Sequence, residues 1–366
     1  MNAATFLRHS AVTLALGTLI SCGKKEETAP PPPPPRPAAS APAPTVKVDP
    51  TTLMQFAPLP KPPDWKSSEA SKGKVDLGRM LFLDKRLSKT QDISCSKCHS
   101  LSTYGTDGKE FSPGFGGKST DRNTPSVYDA ALEMSQFWDG RAENVEAAVT
   151  DQINDPAIMG APGEARVADT LKSMPAYVDA FKRAFPDAPD AVTQANVATS
   201  IGAYLRTLVT PSKWDLFLGG DKTALTNEQK AGFNKFIDSG CVQCHTGPLV
   251  GGTMYQLLGK VKPWPNLADK GRSRATKSAG DDMMFKVPSL RNVARTAPYF
   301  HDASAKTLPE AVKLMATHQL GKELEDADVK SIVDWLETLT ADVASLDSTL
   351  PELPPSTLKT PKPLAK

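Results

Sequence analysis

The chain has 366 residues and a formal net charge of +2, from 43 basic and 41 acidic side chains. That length holds two ordinary domains with their own cores, and the even charge balance without a clustered basic face excludes a nucleic-acid partner. Of its five cysteines, four stand in two matching pairs and the fifth in an export-type segment, so none is left for a disulfide.

In chain order, Arg8 precedes an apolar run from Ala11 to Ile20 and the tetrapeptide Leu19-Ile20-Ser21-Cys22. The run is too short to span a bilayer and has the form of a secretory signal core. Small residues before Cys22 resemble a bacterial lipobox, which implies cleavage there and lipidation of Cys22; an ordinary signal peptide with an incidental cysteine is the alternative. Residues 1–22 are thus expected to be a lipoprotein-type signal peptide and the protein to be periplasmic, lipid-anchored to a bacterial membrane. Residues 23–66 carry an unbroken proline run, Pro30 to Pro35, and read as a polyproline II linker that buries no core.

The first folded segment is expected over 67–215. Leu77, Met80 and Leu81 recur at helical spacing and lead to Cys95-Ser-Lys-Cys98-His99. Two thiols three positions apart with a histidine at once after them form the c-type haem attachment pattern: each thiol makes a thioether with a haem vinyl group, and the histidine then lies within reach of the iron. A zinc site would want further Cys or His nearby, and a thioredoxin motif lacks the trailing histidine. From His99 to about Arg166 the sequence is rich in Gly, Asp and Ser and reads as loops packed over a haem. A helical pattern from Val167 to Phe185 is split at Pro175, and Thr193 caps a helix carrying Val197, Ile201, Tyr204, Leu205 and Leu208 on one face.

The second segment, 216–345, repeats the plan. Thr226 and Gln229 form a capping-box pair before the helix that delivers the chain to Cys241-Val-Gln-Cys244-His245. Thr307 and Glu310 cap a helix running to about Met315, and a last helix carries Val329, Ile332, Val333, Leu336 and Leu339. Ile201-Gly-Ala-Tyr204-Leu205-Arg-Thr-Leu208 matches Ile332-Val-Asp-Trp335-Leu336-Glu-Thr-Leu339 at every apolar position. The expected fold is all-α: two tandem class I cytochrome c-like domains, each with one covalent c-type haem, and no competing strand alternation. Residues 346–366 read as a Pro- and Lys-rich tail.

From about Leu77 to Leu339 the residues resemble the bacterial di-haem cytochrome c peroxidase family and its MauG-like relatives. The resemblance rests on Leu81-Phe-Leu-Asp-Lys-Arg-Leu-Ser88, the two haem motifs, Arg122-Asn123-Thr124-Pro125, Phe137-Trp138-Asp139-Gly140-Arg141, Leu171-Lys-Ser-Met-Pro175, Phe285-Lys-Val-Pro-Ser-Leu-Arg-Asn292, Ala297-Pro-Tyr-Phe-His301-Asp302 and Gln319-Leu-Gly321. It implies a second haem that accepts electrons, with His245 and Met315 as axial ligands; a thioether favours ferrous iron and raises the potential. Taken alone, Met315 also reads as a core methionine, and His318 is the competing ligand. The resemblance further places Trp138 and His301 between the haems and a calcium ion at Asn123, Thr296 and Pro298.

The family reduces hydrogen peroxide at the first haem, here bound by His99, and the sequence departs from the family at that site. Its removable histidine ligand is replaced by Phe115, its acid-base glutamate by Ile158 and its pocket glutamine by Ala148. Glu164 is the nearest substitute base, and Met134, Met159 or Tyr104 the remaining candidates for a sixth ligand. Three functions follow as expectations: a peroxidase fed by a small cytochrome c or cupredoxin; an electron carrier or haem sensor with a degenerate pocket; a MauG-like oxidase of a protein partner. The family also leaves room for a homodimer.

Overall fold

The computed structural model describes residues 45–64, 66–345 and 350–365. The expected signal segment with Cys22 and the run Pro30 to Pro35 lie outside these. Among the described residues the helices in chain order are α1 (Pro50–Leu53), α2 (Glu69–Leu83), α3 (Cys95–Cys98), α4 (Val145–Asn154), α5 (Glu164–Lys172), α6 (Pro175–Ala184), α7 (Gln194–Leu205), α8 (Lys213–Leu218), α9 (Asn227–Ser239), α10 (Ser273–Thr276), α11 (Leu308–Leu320) and α12 (Asp326–Leu336). None is long and apolar enough to cross a membrane.

The side chains gather into two main cores. In the first, α2 packs on α6 and α7, and α4 lies on α7; Leu77, Leu81, Tyr177, Phe181, Val197 and Ile201 are almost wholly buried there. In the second, α9 crosses α12 and α11 leans on α12, around Trp214, Phe233 and Trp335. The indole rings of Trp214 and Trp335 meet edge to face at 5.4 Å. The two crossings are built alike. A Cβ on Gly78 of α2 would stand 1.9 Å from the Ser200 carbonyl oxygen, and one on Gly232 of α9 1.9 Å from that of Ser331. Only glycine lets these helices touch backbone to backbone.

The expected caps form. Thr193 accepts the Asn196 N–H at 3.2 Å, and Thr226–Gln229 and Thr307–Glu310 are reciprocal capping boxes. Pro175 opens α6 after α5 has ended.

Five boundaries differ from the sequence reading. Residues 45–60, assigned to the linker, lie on the second core: Phe56 is buried edge-on against Trp214 and Phe233 at 5.7 and 5.4 Å, and Asp215 accepts the Leu59 N–H at 2.7 Å. The boundary expected at 215/216 falls inside α8, whose Trp214 and Phe217 both belong to the second core. The stretch read as loops contains α4, capped by Asn144 and buried through Val145, Val149 and Ile153; apolar residues every fourth position carried that signal. Helix α11 continues past Met315 to Leu320 and ends on Gly321, which takes the left-handed φ of 65°. A small antiparallel hairpin, β1 (Tyr255–Leu257) and β2 (Met284–Lys286), escapes a periodicity search because each strand has three residues.

The expected tail is also a structural element. From 350 onward it runs back along the first core. There Ser356 accepts from Arg86 at 3.0 Å and the Pro361 carbonyl from Gln91 at 2.8 Å. Thr360 pairs with Ser173 at 2.8 Å, and Leu364 donates to the Lys89 carbonyl at 3.1 Å. Ala341 and Val343, which follow the second half, are buried in the first core.

Candidate functional site

The two motifs enter the fold differently and present their histidines alike. Cys95 to Cys98 form the single turn α3, and His99 ends it with its N–H on the Cys95 carbonyl at 2.9 Å. Cys241 follows Gly240, the left-handed C-cap of α9. The His99 ring donates Nδ1–H to the Gly105 carbonyl at 3.1 Å, and the His245 ring does the same to Val250 at 3.0 Å. Because a carbonyl only accepts, each bond places the proton on Nδ1 and leaves the Nε2 lone pair for a metal. Burial lowers both imidazoles, His245 to about 4, so each is held in the neutral form that coordinates. The four motif thiols are unpaired. Burial pushes Cys95 up to about 12 and Cys241 to about 11, which argues against a redox dithiol.

Beside the second motif opens a cavity with roughly 1700 Å³ not filled by atoms, part of it open to solvent. Cys241, Cys244, His245 and Met315 share this cavity, whose wall is largely apolar. A large apolar space with two thiols, a lone-pair histidine and a thioether on its walls fits a covalently held haem. Met315 comes from α11, whose end is fixed by Gln319: its side chain accepts the Gly259 N–H at 2.9 Å and donates to the Leu257 carbonyl at 2.7 Å. His318, the competing ligand, is held elsewhere, with its ring on Trp264 at 5.2 Å and Nδ1 beside the Lys262 carbonyl at 3.2 Å.

Trp138, His301, Asn123, Thr296 and Pro298 reach the same cavity. The Trp138 indole donates to the Asn123 carbonyl at 2.8 Å and meets the His301 ring edge-on at 6.3 Å. His301 stacks on Phe285 at 4.3 Å, and its Nε2 is buried without a partner. Asn123, Thr296 and Pro298 line this cavity, the Asn123 amide donating to the Lys109 carbonyl at 2.8 Å, and no cluster of three His, Cys, Asp or Glu with metal-binding geometry occurs among the described residues.

On the first core, Phe115 donates its backbone N–H to Ala157 at 2.8 Å, and the Lys89 ammonium sits 5.1 Å from the centre of its ring. Ile158 lies in a turn pinned by the Asp155 carboxylate, which accepts the N–H groups of Ala157 and Ile158 at 2.7 and 3.2 Å. Phe115 and Ile158 both pack on the first core. Ala148 is a half-buried residue of α4, and Glu164 is solvent-exposed in the first turn of α5. Of the other candidates for a sixth ligand, Met134 is 45% exposed and Met159 is buried in the first core. The Tyr104 hydroxyl is bonded to the Ala341 carbonyl at 3.3 Å.

Sequence reasoning missed the charges at the meeting of the halves. Arg122 is buried between Asp139 and Asp269. Glu133 and Lys286 form an ion pair at the cavity wall. Their partners lie more than a hundred residues apart in sequence or in a turn of no regular pattern, so no local spacing announces them.

A profile described as di-haem cytochrome c peroxidase matches residues 72–223. The cytochrome c551 peroxidase of Nitrosomonas europaea is 43% identical over 79% of this chain and 85% of its own length. That of Pseudomonas aeruginosa is 41% identical over 84% of this chain and 90% of its own. Among solved structures, a MauG-like protein associated with microbial copper homeostasis superposes over 80% of this chain and 97% of its own, with a TM-score of 0.66 and 27% identity. Together with the paired haem motifs and the helical fold that carries them, these matches show that the chain belongs to the bacterial di-haem cytochrome c peroxidase and MauG family.

Proposed function

We propose that the protein reduces hydrogen peroxide at a haem held by Cys95, Cys98 and His99, using electrons that enter at a haem held by Cys241, Cys244, His245 and Met315. The observation that carries this reading is the cavity beside the second motif, lined by Cys241, Cys244, His245, Met315 of α11 and Trp138 of the first half. Each turnover takes one peroxide, two electrons and two protons to two waters. The haems supply iron that binds peroxide and exchanges electrons; the chain supplies the rest. Nδ1-anchored His99 and His245 fix the proximal side, and Met315 favours the reduced state of the second centre. Trp138, held by its bond to Asn123, meets the second half through its contact with His301. A small cytochrome c or cupredoxin is the donor in this reading, and export to the periplasm fits haem attachment outside the cytoplasmic membrane.

A second reading, an electron carrier or haem sensor, is favoured by one observation. Phe115 and Ile158, which on the resemblance stand where the family keeps its switch histidine and acid-base glutamate, both pack on the apolar core, and Glu164 is exposed on α5. The test is steady-state peroxide consumption with a reduced small cytochrome, after a haemochrome assay has counted two haems per chain. The expected result is turnover without prior reduction, with a high-spin ferric signal in the fully oxidised protein. Ile158→Glu restores a positioned proton carrier and should raise the rate by roughly 10²-fold without changing the spin state. Phe115→His should turn that haem low-spin and make activity depend on reduction. No turnover in either the native protein or Ile158→Glu would leave the carrier reading standing.

A further inference from the structure

We propose that the buried Glu133–Lys286 ion pair is a proton-accepting site coupled to the second haem, so that an electron arriving there draws a proton from solvent into the pair. This rests on the assignment of a haem to Cys241, Cys244 and His245. The step balances simply: the donor gives one electron, ferric iron becomes ferrous, and one proton from solvent converts the neutral amine of Lys286 beside the Glu133 carboxylate to the ammonium of the ion pair.

The pair is built into the join between the halves. Glu133 follows the turn Ala130–Leu132 of the first half, and Lys286 ends β2 of the second. Their side chains are 14% and 7% exposed, and both line the haem cavity. The backbone around them is tied across the join, with Lys286 N–H on the Trp138 carbonyl at 2.8 Å, Met134 N–H on Gly252 at 3.0 Å and Gly252 N–H on Val287 at 2.8 Å. Gly252, at φ 72°, lies against Glu133: a Cβ there would be 3.2 Å from the Glu133 side chain.

A desolvated ammonium–carboxylate pair responds strongly to a nearby charge, because the low dielectric that makes the pair costly also carries the field of the iron. Burial pushes Lys286 down to about 7, where the proton is easily gained or lost. Reduction lowers the charge of the centre by one and so favours the protonated pair. The midpoint potential of the second haem must then fall as pH rises through neutrality.

Other ionisable groups face this region. Tyr255 lies opposite Lys286 across the hairpin, its hydroxyl bonded to Ser135 at 2.8 Å, with Arg272 4.0 Å above its ring. Beyond Phe285 stand Arg122, bonded to Asp139 and Asp269, and His301. The arginines stay charged. His301, lowered by burial, is the rival proton acceptor.

The experiment is a potentiometric titration of the two-haem protein at steps across neutrality, following the higher-potential wave. A wave that falls with pH is expected in the native protein. Lys286→Gln should lower the potential and Glu133→Gln should raise it, since one removes a positive and the other a negative charge beside the haem; both should flatten the pH slope by at least half. A purely structural disturbance would not shift the two in opposite directions. A flat wave in the native protein overturns the proposal, and this result needs no variant. So does a slope that survives both substitutions and disappears in His301→Gln. If the haemochrome assay gives fewer than two haems, the haem assignment itself fails, and the two failures are thereby told apart.

Discussion

Asp129 turns the chain at a left-handed φ of 59° and ties the halves by accepting the Thr210 backbone N–H at 2.9 Å and the Thr210 hydroxyl. Burial outweighs these donors and pushes its carboxyl up to about 6 from 3.8. A group raised in this sense favours the folded state fully below its unfolded value of 3.8, and that contribution is lost as pH rises through about 6. Asp129→Asn, which tolerates the left-handed backbone, lacks this pH dependence, so its stability relative to the native protein should be poorest at low pH and improve as pH rises through about 6, a relative swing on the order of 3 kcal/mol. Denaturant unfolding at several pH values checks the sign. At this scale the haem-binding residues were legible because a thioether and an axial bond demand fixed spacing. Glu133 and Lys286 were not, because an ion pair formed by folding across 153 positions leaves no trace in local sequence.

The two helix crossings show what the internal repeat is for. Ser200 and Ser331 occupy the same place in the matching stretches that precede Ile201 and Ile332, and each offers its carbonyl to a glycine, Gly78 or Gly232, of the helix before a haem motif. An alanine is worth about 1 kcal/mol to an exposed helix position relative to glycine. Here the added methyl would sit at 1.9 Å from a backbone oxygen, and separating the helices outweighs that gain. Gly232→Ala should lower stability by roughly 2–4 kcal/mol, whereas Gly280→Ala, whose nearest new neighbour is the Ser278 hydroxyl at 3.6 Å, should leave the thermal melt unchanged. The apolar faces of these helices and their caps were legible from periodicity and from Thr193, Thr226 and Thr307. The end of α11 was not: the helix runs on to Leu320 although its regular apolar pattern stops at Met315, and the continuation is stabilised by Gln319 bonding to the hairpin strand.

Across the whole molecule, composition misled at both edges of the described chain. Proline-rich stretches read as free because they lack periodic apolar residues, yet Phe56 and the Leu59–Asp215 bond anchor one on the second core, and scattered backbone and hydroxyl bonds anchor the other on the first. Removing residues 350–366 should lower the melting temperature of the first half and speed its cleavage by protease, while the redox wave of the second haem stays in place. Parallel loss of both halves would show that they unfold as one unit. The strap also has a consequence in time. Chains are made from the N-terminus, and in many proteins the first-made half folds before the rest exists. Here the opposite order is imposed: Ala341 and Val343 fill the first core, and Leu364 closes on Lys89, beside the loop that carries Phe115. The half made first is finished last: its core closes only once residues 341–364 are in place.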